Sequence, residues 1–589
     1  MQKFLRFCLI TIICLLLIPL SLKAQSERVK VQYSVQLVNP DRMLFAVGAN
    51  FEFPEHLDSV IFKIADTDNH YTEGYAQFVK QFTLFGPDSA KLEVIQKEPN
   101  LWIAHDIEGE YQMKYILPIQ HLRSPSEYGI DETPFYIGKA GVLIGSGVIV
   151  YPVLDREIMP RDFEINFVLG ENMLAVLPQK RTGDNRFIIP SMDHIFDAYW
   201  AVGAYDTLSI GPEGFPLQIA MQRMLLPELN DQLVGNLRKV WYQLTRIFGV
   251  PPQFDPLLIV SGFPFSNQNS EVLNAGASSP GSVNILLDHK LTAEGLDKNF
   301  GLFAYNLFPQ WIPVSFQPSN QIDESWLIRG ASNYYQLLLL RRIGVITDQQ
   351  FLERLAAAYE QYSREFDRIR LSVRAARDIS TARGYIFSAE MITACMFDLR
   401  LRAMSPRTAS LDQVLKALAE RFSGNDNIFT AAHFFELTDT LSGQYLMPFV
   451  DSCINVRRKM DLPGMLEKFG VKLESVPEGK IDIGATFASF QDLTLDFVRR
   501  GGPASAAGLE EGDVILEVDG KEFKAVNPLV EYLNSKKSGD KIKIDYRRDK
   551  ELYNTELVLE GSEIYQVSMM KSPSGIQQER WNNYVSPLE

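Results

Sequence analysis

Alternating apolar and polar residues dominate the first third of the chain. Residues 29–35 (VKVQYSV) and 162–168 (DFEINFV) both follow this alternation, and turn-forming pairs such as Asn39-Pro40 separate such runs. A period of two places every second side chain on one face, which predicts half-buried β-strands. Residues 25–210 are therefore predicted to form a β-rich domain, an antiparallel β-sandwich.

The apolar period becomes helical farther along the chain. Residues 215–248 follow a helical repeat, with a break near Pro227 and a stop at Gly249. A short apolar run at residues 283–287 predicts a strand. Capped or amphipathic segments predict further helices at residues 348–369, 389–402 and 411–422. Residues 211–470 are thus predicted to form a mostly helical domain, so the fold class is multidomain α+β.

Strand-like runs and tight turns return at residues 478–562. Gly508, Gly512 and Asp513 mark one turn and Gly520 marks a hairpin. The arrangement resembles a PDZ domain, which implies binding of a peptide as an added strand, with loop amides holding its terminal carboxylate. The resemblance assigns the groove helix to residues 526–536 and the carboxylate loop to Gly484, Ala485, Thr486 and Phe487. Residues 563–589 are treated as a polar C-terminal tail.

Three landmarks in the middle of the chain occur in a familiar order. Residues 305–312 are YNLFPQWI, residues 326–330 are WLIRG and residues 398–402 are DLRLR. They resemble the HExxHxWN, WxxEG and DLxxR segments of the glycyl aminopeptidase family of PDZ-containing zinc metallopeptidases. The resemblance implies a thermolysin-like peptidase domain at residues 211–470, with an extended substrate lying along the strand at residues 283–287.

The chemical positions of that family are substituted in this chain. By the resemblance, Tyr305 stands at the first zinc-binding His, Asn306 at the general base, Pro309 at the second His, Arg329 at the acidic ligand and Phe387 at the oxyanion-stabilising Tyr. Tyrosine is a poor zinc ligand and proline is none. A permanent cation at the acidic position also repels a divalent ion. No metal and no cofactor are therefore predicted, and the chain resembles a degenerate member that lacks the HExxH site.

Several local alternatives stay open at this stage. Pro309 predicts that its helix ends or kinks at Phe308. Arg329 is predicted to pair with Glu324 or Asp323, the alternative being capture of a peptide carboxylate. Two single residues are predicted to be structural although each has a functional alternative: Tyr385 as an oxyanion donor and His289 as a relocated zinc ligand.

Composition and net charge limit the classes of partner that this chain is expected to bind. The chain has 589 residues, of which 46% are hydrophobic and 22% charged, as in ordinary globular proteins with several domains. Its formal net charge is −15, which argues against nucleic acid or an anionic membrane surface as the main partner.

The N-terminus predicts export. Lys3 and Arg6 precede an apolar run at residues 8–20, and cleavage is expected after Ala24, which makes residues 1–24 a signal peptide. The mature protein is expected in the periplasm, on the cell surface or secreted, with no membrane span after cleavage. It keeps Cys395 and Cys453; one disulfide is arithmetically possible, but the setting of the first favours a buried thiol.

Two functions are compatible with these observations. The first is an exported, non-catalytic pseudopeptidase that binds peptides or protein C-termini through its PDZ domain and former substrate cleft. The alternative is an active hydrolase or aminopeptidase that uses relocated ligands or other chemistry in the same cleft.

Overall fold

The structure is a computed structural model that describes residues 28–65, 74–119, 135–155, 158–196, 198–223, 225, 228–264, 274–404, 409–424 and 427–589. The predicted signal peptide lies outside these residues. The chain divides into two compact units, residues 1–245 with 251–315, and residues 246–250 with 316–589. In the described part of the chain, no helix is long and apolar enough to cross a membrane.

The N-terminal region of the first unit is built from two sheets. A nine-stranded sheet has the order β11-β12-β9-β1-β2-β5-β3, with β4 paired to β5 and β8 to β2, and a four-stranded sheet has the order β10-β13-β7-β6. The elements are β1 (Lys30–Asn39), β2 (Leu44–Lys63), β3 (Lys80–Phe85), β4 (Ile95–Glu98), β5 (Leu101–Pro118), β6 (Phe135–Ile137), β7 (Ala140–Ile144), α1 (Gly145–Val148), β8 (Tyr151–Val153), β9 (Arg161–Val168), β10 (Leu174–Val176), β11 (Lys180–Gly183), β12 (Arg186–Ser191), α2 (Asp193–Phe196) and β13 (Tyr199–Gly203).

The core of this region follows from the predicted alternation. Strand β1 buries every second side chain, and these side chains join Trp200 and Val202 of β13 in one hydrophobic cluster. Buried hydroxyls within it are satisfied, since Tyr33 donates to the carbonyl of Val150 at 3.0 Å and Tyr115 donates to that of Val148 at 2.6 Å. The predicted sandwich is confirmed, with one difference: β1 pairs with β9 in parallel.

A five-stranded mixed sheet follows in the first unit, in the order β14-β15-β16-β18-β17. The elements are β14 (Tyr205–Ile210), β15 (Leu217–Gln222), α3 (Asn230–Phe248), β16 (Leu257–Gly262), β17 (Asn274–Ser279), β18 (Ser282–Leu287), α4 (Ala293–Asn299) and α5 (Gly301–Leu307).

Two predictions about this sheet are wrong. The helix expected across residues 215–248 begins only at Asn230, because residues 217–222 form β15 and pair with strands on both sides. A short, mostly apolar segment such as LQIAMQ fits either a helix or a buried strand, and tertiary pairing decides. The strand expected to hold substrate at the edge, β18, is an internal, fully buried strand. Strand β17 occupies the edge instead.

The second unit begins with a helical region. Its elements are a short parallel pair of strands, β19 (Gln317–Pro318) and β20 (Ile428–Phe429), and the helices α6 (Ala331–Arg342), α7 (Asp348–Ile369), α8 (Arg383–Met404), α9 (Leu411–Phe422), α10 (Ala431–Ser442), α11 (Met447–Ile454) and α12 (Leu462–Glu467). The predicted caps of α7 and α9 are confirmed, since Thr347 and Ser410 each accept a hydrogen bond from the backbone three residues on. Cys395 and Cys453 are both buried free thiols.

The C-terminal part of the second unit contains the PDZ-like fold. Its elements are β21 (Val471–Asp482), β22 (Ala485–Ser489), β23 (Asp492–Val498), α13 (Pro503–Ala506), β24 (Val514–Val518), β25 (Lys521–Glu522), α14 (Val526–Asn534), β26 (Lys541–Arg548), β27 (Glu551–Val558), β28 (Glu560–Met569) and α15 (Gly575–Val585). The main sheet has the order β22-β23-β24-β26-β27, while β21 and β28 form a separate antiparallel pair. The segment treated as a tail thus contains most of β28 and all of α15.

A buried charge network lies among the helices of the second unit. It consists of Arg342 on α6, Asp398 and Arg402 on α8, and Asp412 on α9. Asp412 accepts bonds from Arg342 at 2.8 and 3.0 Å and from Arg402 at 2.5 Å. Asp398 accepts from Arg402 at 3.0 Å and from the backbone N–H of Leu411 at 2.7 Å. Two carboxylates balance two guanidinium groups, which suits complete burial.

The same network holds the C-terminal helix. Arg402 donates to the carbonyl of Asn583 at 3.2 Å, and Arg342 donates to that of Tyr584 at 3.4 Å. Trp581 and Tyr584 on α15 are both buried, and both rings contact Phe351. The C-terminus is therefore part of the core of the second unit.

Removing one charge of the network should destabilise the second unit strongly. Asp412→Asn leaves Arg342 without a carboxylate and Arg402 with Asp398 alone, and breaking a buried pair costs about 3–5 kcal/mol. The matched control is Asp439→Asn on the exposed face of α10, expected to change stability by less than about 0.5 kcal/mol. Urea denaturation of both variants checks this. Equal losses in the two variants would contradict it.

The stability of the second unit should also depend on pH, because Asp412 is charged in the network. Burial alone would raise the pKa of the Asp412 carboxyl, but the charges of Arg342 and Arg402 outweigh it and hold that pKa well below its ordinary value. At low pH, the unfolded chain therefore binds a proton at Asp412 that the folded chain does not bind. The stability that the charged Asp412 contributes is complete above about pH 4, and it declines as the pH falls below that value. Urea midpoints measured from pH 7 to 3 should therefore fall more steeply for the wild type than for Asp412→Asn.

Candidate functional site

The first landmark of the peptidase resemblance lies at the end of α5 in the first unit. The helix ends at Leu307, and residues 308–310 form a 3-10 turn with Pro309 at its centre. The predicted break at this proline is confirmed, because proline removes a helical hydrogen bond. Trp311, directly after the turn, is fully buried with its ring centroid 5.0 Å from that of Trp241. Packing of Trp311 against Trp241 thus holds this segment in place.

Asn306, at the general-base position, is buried and committed to packing. Its Nδ2 donates to the carbonyl of Leu302 at 2.9 Å. The side chain also lies against β17 at Gly276, where an added Cβ would come within 2.8 Å of Nδ2. A carboxamide cannot accept a proton at neutral pH, so this position cannot act as a general base.

Gln310 shows a similar structural use one turn later. Its Nε2 donates to the Ser278 hydroxyl and to the Ser279 carbonyl, both at 2.9 Å, and its Oε1 accepts from the Gly281 N–H at 3.0 Å. These bonds satisfy the turn between β17 and β18. The segment that would carry zinc ligands therefore supports the edge hairpin of the sheet.

Arg329, at the acidic-ligand position, lies in a π-helical turn, Trp326–Gly330, of the second unit. Its Nε and Nη2 both contact Oε2 of Glu390 at 2.8 Å. The predicted partners Glu324 and Asp323 are wrong. The reason is the close approach of α8, since an added Cβ on Gly330 would come within 2.5 Å of the Glu390 carbonyl.

Glu390 is the centre of a polar cluster in this part of the second unit. Its side chain is fully buried, and its Oε1 accepts from the Ser325 hydroxyl at 2.5 Å. Arg377 donates to that hydroxyl at 2.9 Å and lies 3.9 Å from Glu390 Oε1. Asp323 in turn accepts from Arg374 at 3.1 Å. The buried anion is therefore fully paired by the chain itself.

Glu324 is the partly buried carboxylate beside this cluster. Burial raises the pKa of its carboxyl, partly offset by a bond from Trp326 Nε1 at 3.1 Å. Raised carboxyl pKa values also occur at catalytic sites, so Glu324 is the residue to test for other chemistry.

Phe387 and Tyr385 occupy different environments on α8. Phe387, at the oxyanion position, is 40% exposed and supplies no hydroxyl. Tyr385 is buried, stacks on Tyr362 with a centroid distance of 6.0 Å, and donates to the carbonyl of Leu371 at 3.1 Å. Burial raises the pKa of Tyr385 to about 12. Its hydroxyl therefore has a structural partner within the helical region.

The donor set does not fit a metal in the described residues. No group of three or more His, Cys, Asp or Glu side chains there could hold an ion. His289, the candidate relocated ligand, is half exposed, and its Nδ1 lies 3.9 Å from Asp288 Oδ1. A zinc site needs three or four converging donors.

The PDZ-like fold presents an open sheet edge. Strand β22 stands at the end of its sheet and pairs with β23 alone among the described strands. Helix α14 runs beside it: the Val526 N–H donates to the Phe490 carbonyl at 3.0 Å, and Asn534 Oδ1 accepts from the Ile481 N–H at 3.1 Å. Val530 lies midway on the same helical face and is 41% exposed. This defines a groove between β22 and α14, called the PDZ groove below.

The predicted carboxylate loop lies at one end of the PDZ groove. Gly484 has a φ of +68°, and an added Cβ there would come within 2.9 Å of Pro503. Thr486 is exposed, while Ala485 and Phe487 are partly buried and pack on the domain core. The structure thus places these four residues together at the start of the edge strand.

Asp482 lies directly before this loop and contacts it through its side chain. Its Oδ1 accepts from the Gly484 N–H at 2.7 Å, and its Oδ2 lies 2.7 Å from Arg499 Nη1. Asp482 and Glu390 are both absent from the predicted site residues. Their signals are weak in a sequence: an acid two residues before a glycine, and one of two carboxylates in a largely apolar helix.

Comparisons with known proteins agree with this architecture. Residues 309–390 match the M61 glycyl aminopeptidase family and residues 470–559 match the PDZ domain family. A serine protease Do-like HtrA from Lactobacillus helveticus is 33% identical over 95 residues, which are 16% of this chain and 22% of that protein. The chain thus spans about a fifth of the length of the relative it matches.

Similarity to solved structures covers most of the chain. The crystal structure of an aminopeptidase N family protein from Idiomarina loihiensis aligns with a TM-score of 0.74 at 14% identity, over 95% of this chain and 100% of that one. An M1 zinc metallopeptidase from Deinococcus radiodurans aligns with a TM-score of 0.43 at 13% identity, over 74% of this chain and 96% of that one. The first alignment shows a shared fold. The chain therefore carries a region of the M61 glycyl aminopeptidase family, at residues 309–390, followed by a PDZ domain, at residues 470–559.

Proposed function

We propose that this chain is an exported, non-catalytic pseudopeptidase that binds peptides through its PDZ domain. The non-catalytic part of this proposal rests on one observation: at the acidic-ligand position, Arg329 pairs with the buried Glu390. A guanidinium group cannot ligate zinc, and this one already satisfies a buried carboxylate. At the first landmark, Asn306 stands in place of the general base and Pro309 in place of a zinc-binding His, and neither side chain can perform that role.

The second half rests on the PDZ groove. Strand β22 offers an unpaired edge, and α14 supplies an apolar wall at Val530. An extended peptide that adds to such an edge gains main-chain hydrogen bonds, while the wall selects its side chains. The predicted signal peptide supports a periplasmic, cell-surface or secreted location for this binding.

Metal content and activity together test the non-catalytic half. The purified mature chain, residues 25–589, is expected to contain no stoichiometric zinc and to release no product from aminoacyl substrates such as glycyl derivatives. Elemental analysis and a chromogenic assay measure the two quantities. One zinc per chain with turnover would contradict the proposal. Turnover without zinc that is lost in Glu324→Gln would instead favour a hydrolase with other chemistry.

A stability measurement tests whether the Arg329–Glu390 pair has become structural. Glu390→Gln leaves Arg329 and Arg377 facing an uncharged side chain in a buried position, so we expect a loss of about 3 kcal/mol. The control is Glu436→Gln, which breaks a surface pair with Arg421 and should cost less than about 1 kcal/mol. Urea denaturation compares them. A neutral Glu390→Gln would show that the pair contributes no stability.

Peptide selection tests the binding half. Val530→Glu places a charge in the apolar wall of the PDZ groove, so peptides selected on the wild-type chain should lose at least about tenfold in affinity. Leu552 on β27, at the opposite end of the sheet, is 74% exposed and gives the matched control Leu552→Glu. Fluorescence anisotropy measures each Kd. Equal effects of the two variants, or no selected peptide, would contradict binding in this groove.

A further inference from the structure

The loop at the end of the PDZ groove already holds a carboxylate of its own chain. Asp482 Oδ1 accepts the Gly484 N–H at 2.7 Å, in the loop that the PDZ resemblance assigns to a ligand carboxylate. A hydrogen-bonded N–H with a charged acceptor is a strong interaction. A ligand carboxylate would have to displace Asp482 to use this amide.

The net charge of the ion pairs that Asp482 makes also opposes an incoming anion. Arg499 is the cation that contacts Asp482, and its Nη1 lies 2.7 Å from Asp482 Oδ2. Its Nη2 lies 3.3 Å from Glu560 Oε2. Two carboxylates therefore share one guanidinium, and this trio has a net charge of −1. A third carboxylate at the loop would meet like charge without a free cation from this trio.

Hydrogen bonds of the local backbone also hinder the displacement of Asp482. The carbonyl of Gly484 accepts from the Arg499 N–H at 2.7 Å, and that of Ile483 accepts from the Ala504 N–H at 2.9 Å. These bonds fix the loop on both sides of the Asp482–Gly484 contact. The edge of β22 beyond the loop stays open for a strand.

We propose that the PDZ groove selects peptide segments that bring no terminal carboxylate to the loop, namely internal segments of a polypeptide. The inference rests on the proposed function and specifies its ligand. Binding then depends on main-chain pairing with β22 and on side-chain contacts with the α14 wall. Asp482 is the specificity-determining residue, because its charge excludes chain ends.

Paired peptides test this directly. Each member of an eight-residue peptide library is synthesised twice, once with a free C-terminal carboxylate and once as a carboxamide, and both are tested on the mature chain. We expect the carboxamides to bind more tightly, by about tenfold at low ionic strength. The preference should shrink in high salt, because screening weakens the repulsion.

Variants separate the charge from the hydrogen bond. Asp482→Asn keeps an acceptor for Gly484 but loses the charge, so the carboxamide preference should largely disappear. Asp482→Ala frees the amide and should favour the free acids. Glu556→Gln, which removes a carboxylate on β27 paired with Lys541, is the control and should leave the preference unchanged. Thermal unfolding of each variant verifies that the domain is folded.

The outcomes distinguish this inference from the proposed function. Tighter binding of free acids to the wild-type chain, abolished by amidation, would overturn the inference while peptide binding stands. Equal binding of both forms would overturn it as well. Absence of binding by either set, or binding that Val530→Glu leaves unchanged, would overturn the proposed binding function itself.

Discussion

The second unit depends on four buried charges that neutralise one another, Arg342, Asp398, Arg402 and Asp412. They join α6, α8 and α9, and the two arginines also hold the backbone of α15. The DLxxR landmark therefore has a structural reason in this chain. Asp398 and Arg402 pair inside the protein, so replacing Arg402 would leave the buried Asp398 without its cation, and replacing Asp398 would leave two arginines sharing Asp412. The constraint comes from folding and is independent of catalysis.

The same reasoning separates the retained landmarks from the substituted ones. Trp311, Trp326 and Gly330 remain because each fills a tightly packed place, two as fully buried rings and one where α8 leaves no room for a Cβ. Asn306 and Arg329 stand where the resemblance places a general base and an acidic zinc ligand. Here Asn306 packs against β17, and Arg329 pairs with a buried carboxylate. Both side chains therefore have a structural role in this chain.

Much of the fold could be predicted from local signals, and the errors have physical causes. Caps at Thr347 and Ser410, the break at Pro309 and the glycine turns of the PDZ domain depend on neighbouring residues, which a sequence shows directly. Strand β15 differs from the predicted helix because its few apolar residues fit both periods. The partner of Arg329 lies 61 residues away on α8, so no local pattern could identify Glu390. Helix α15 is polar except for Ile576 and the buried Trp581, Tyr584 and Val585, and the two aromatic rings are buried against a distant residue, Phe351 on α7.

The cluster at Arg329 and the loop at Gly484 share one feature: the chain supplies the counter-charge that a ligand would otherwise bring. Glu390 satisfies Arg329, and Asp482 satisfies the Gly484 amide. An internal carboxylate is present at very high effective concentration, so a free peptide end competes with it poorly. Affinity for a peptide must then come from hydrogen bonds that the chain does not make with itself, and the open edge of β22 offers backbone groups for such bonds. Main-chain pairing along an edge needs no terminus, so a protein built in this way is suited to extended internal segments.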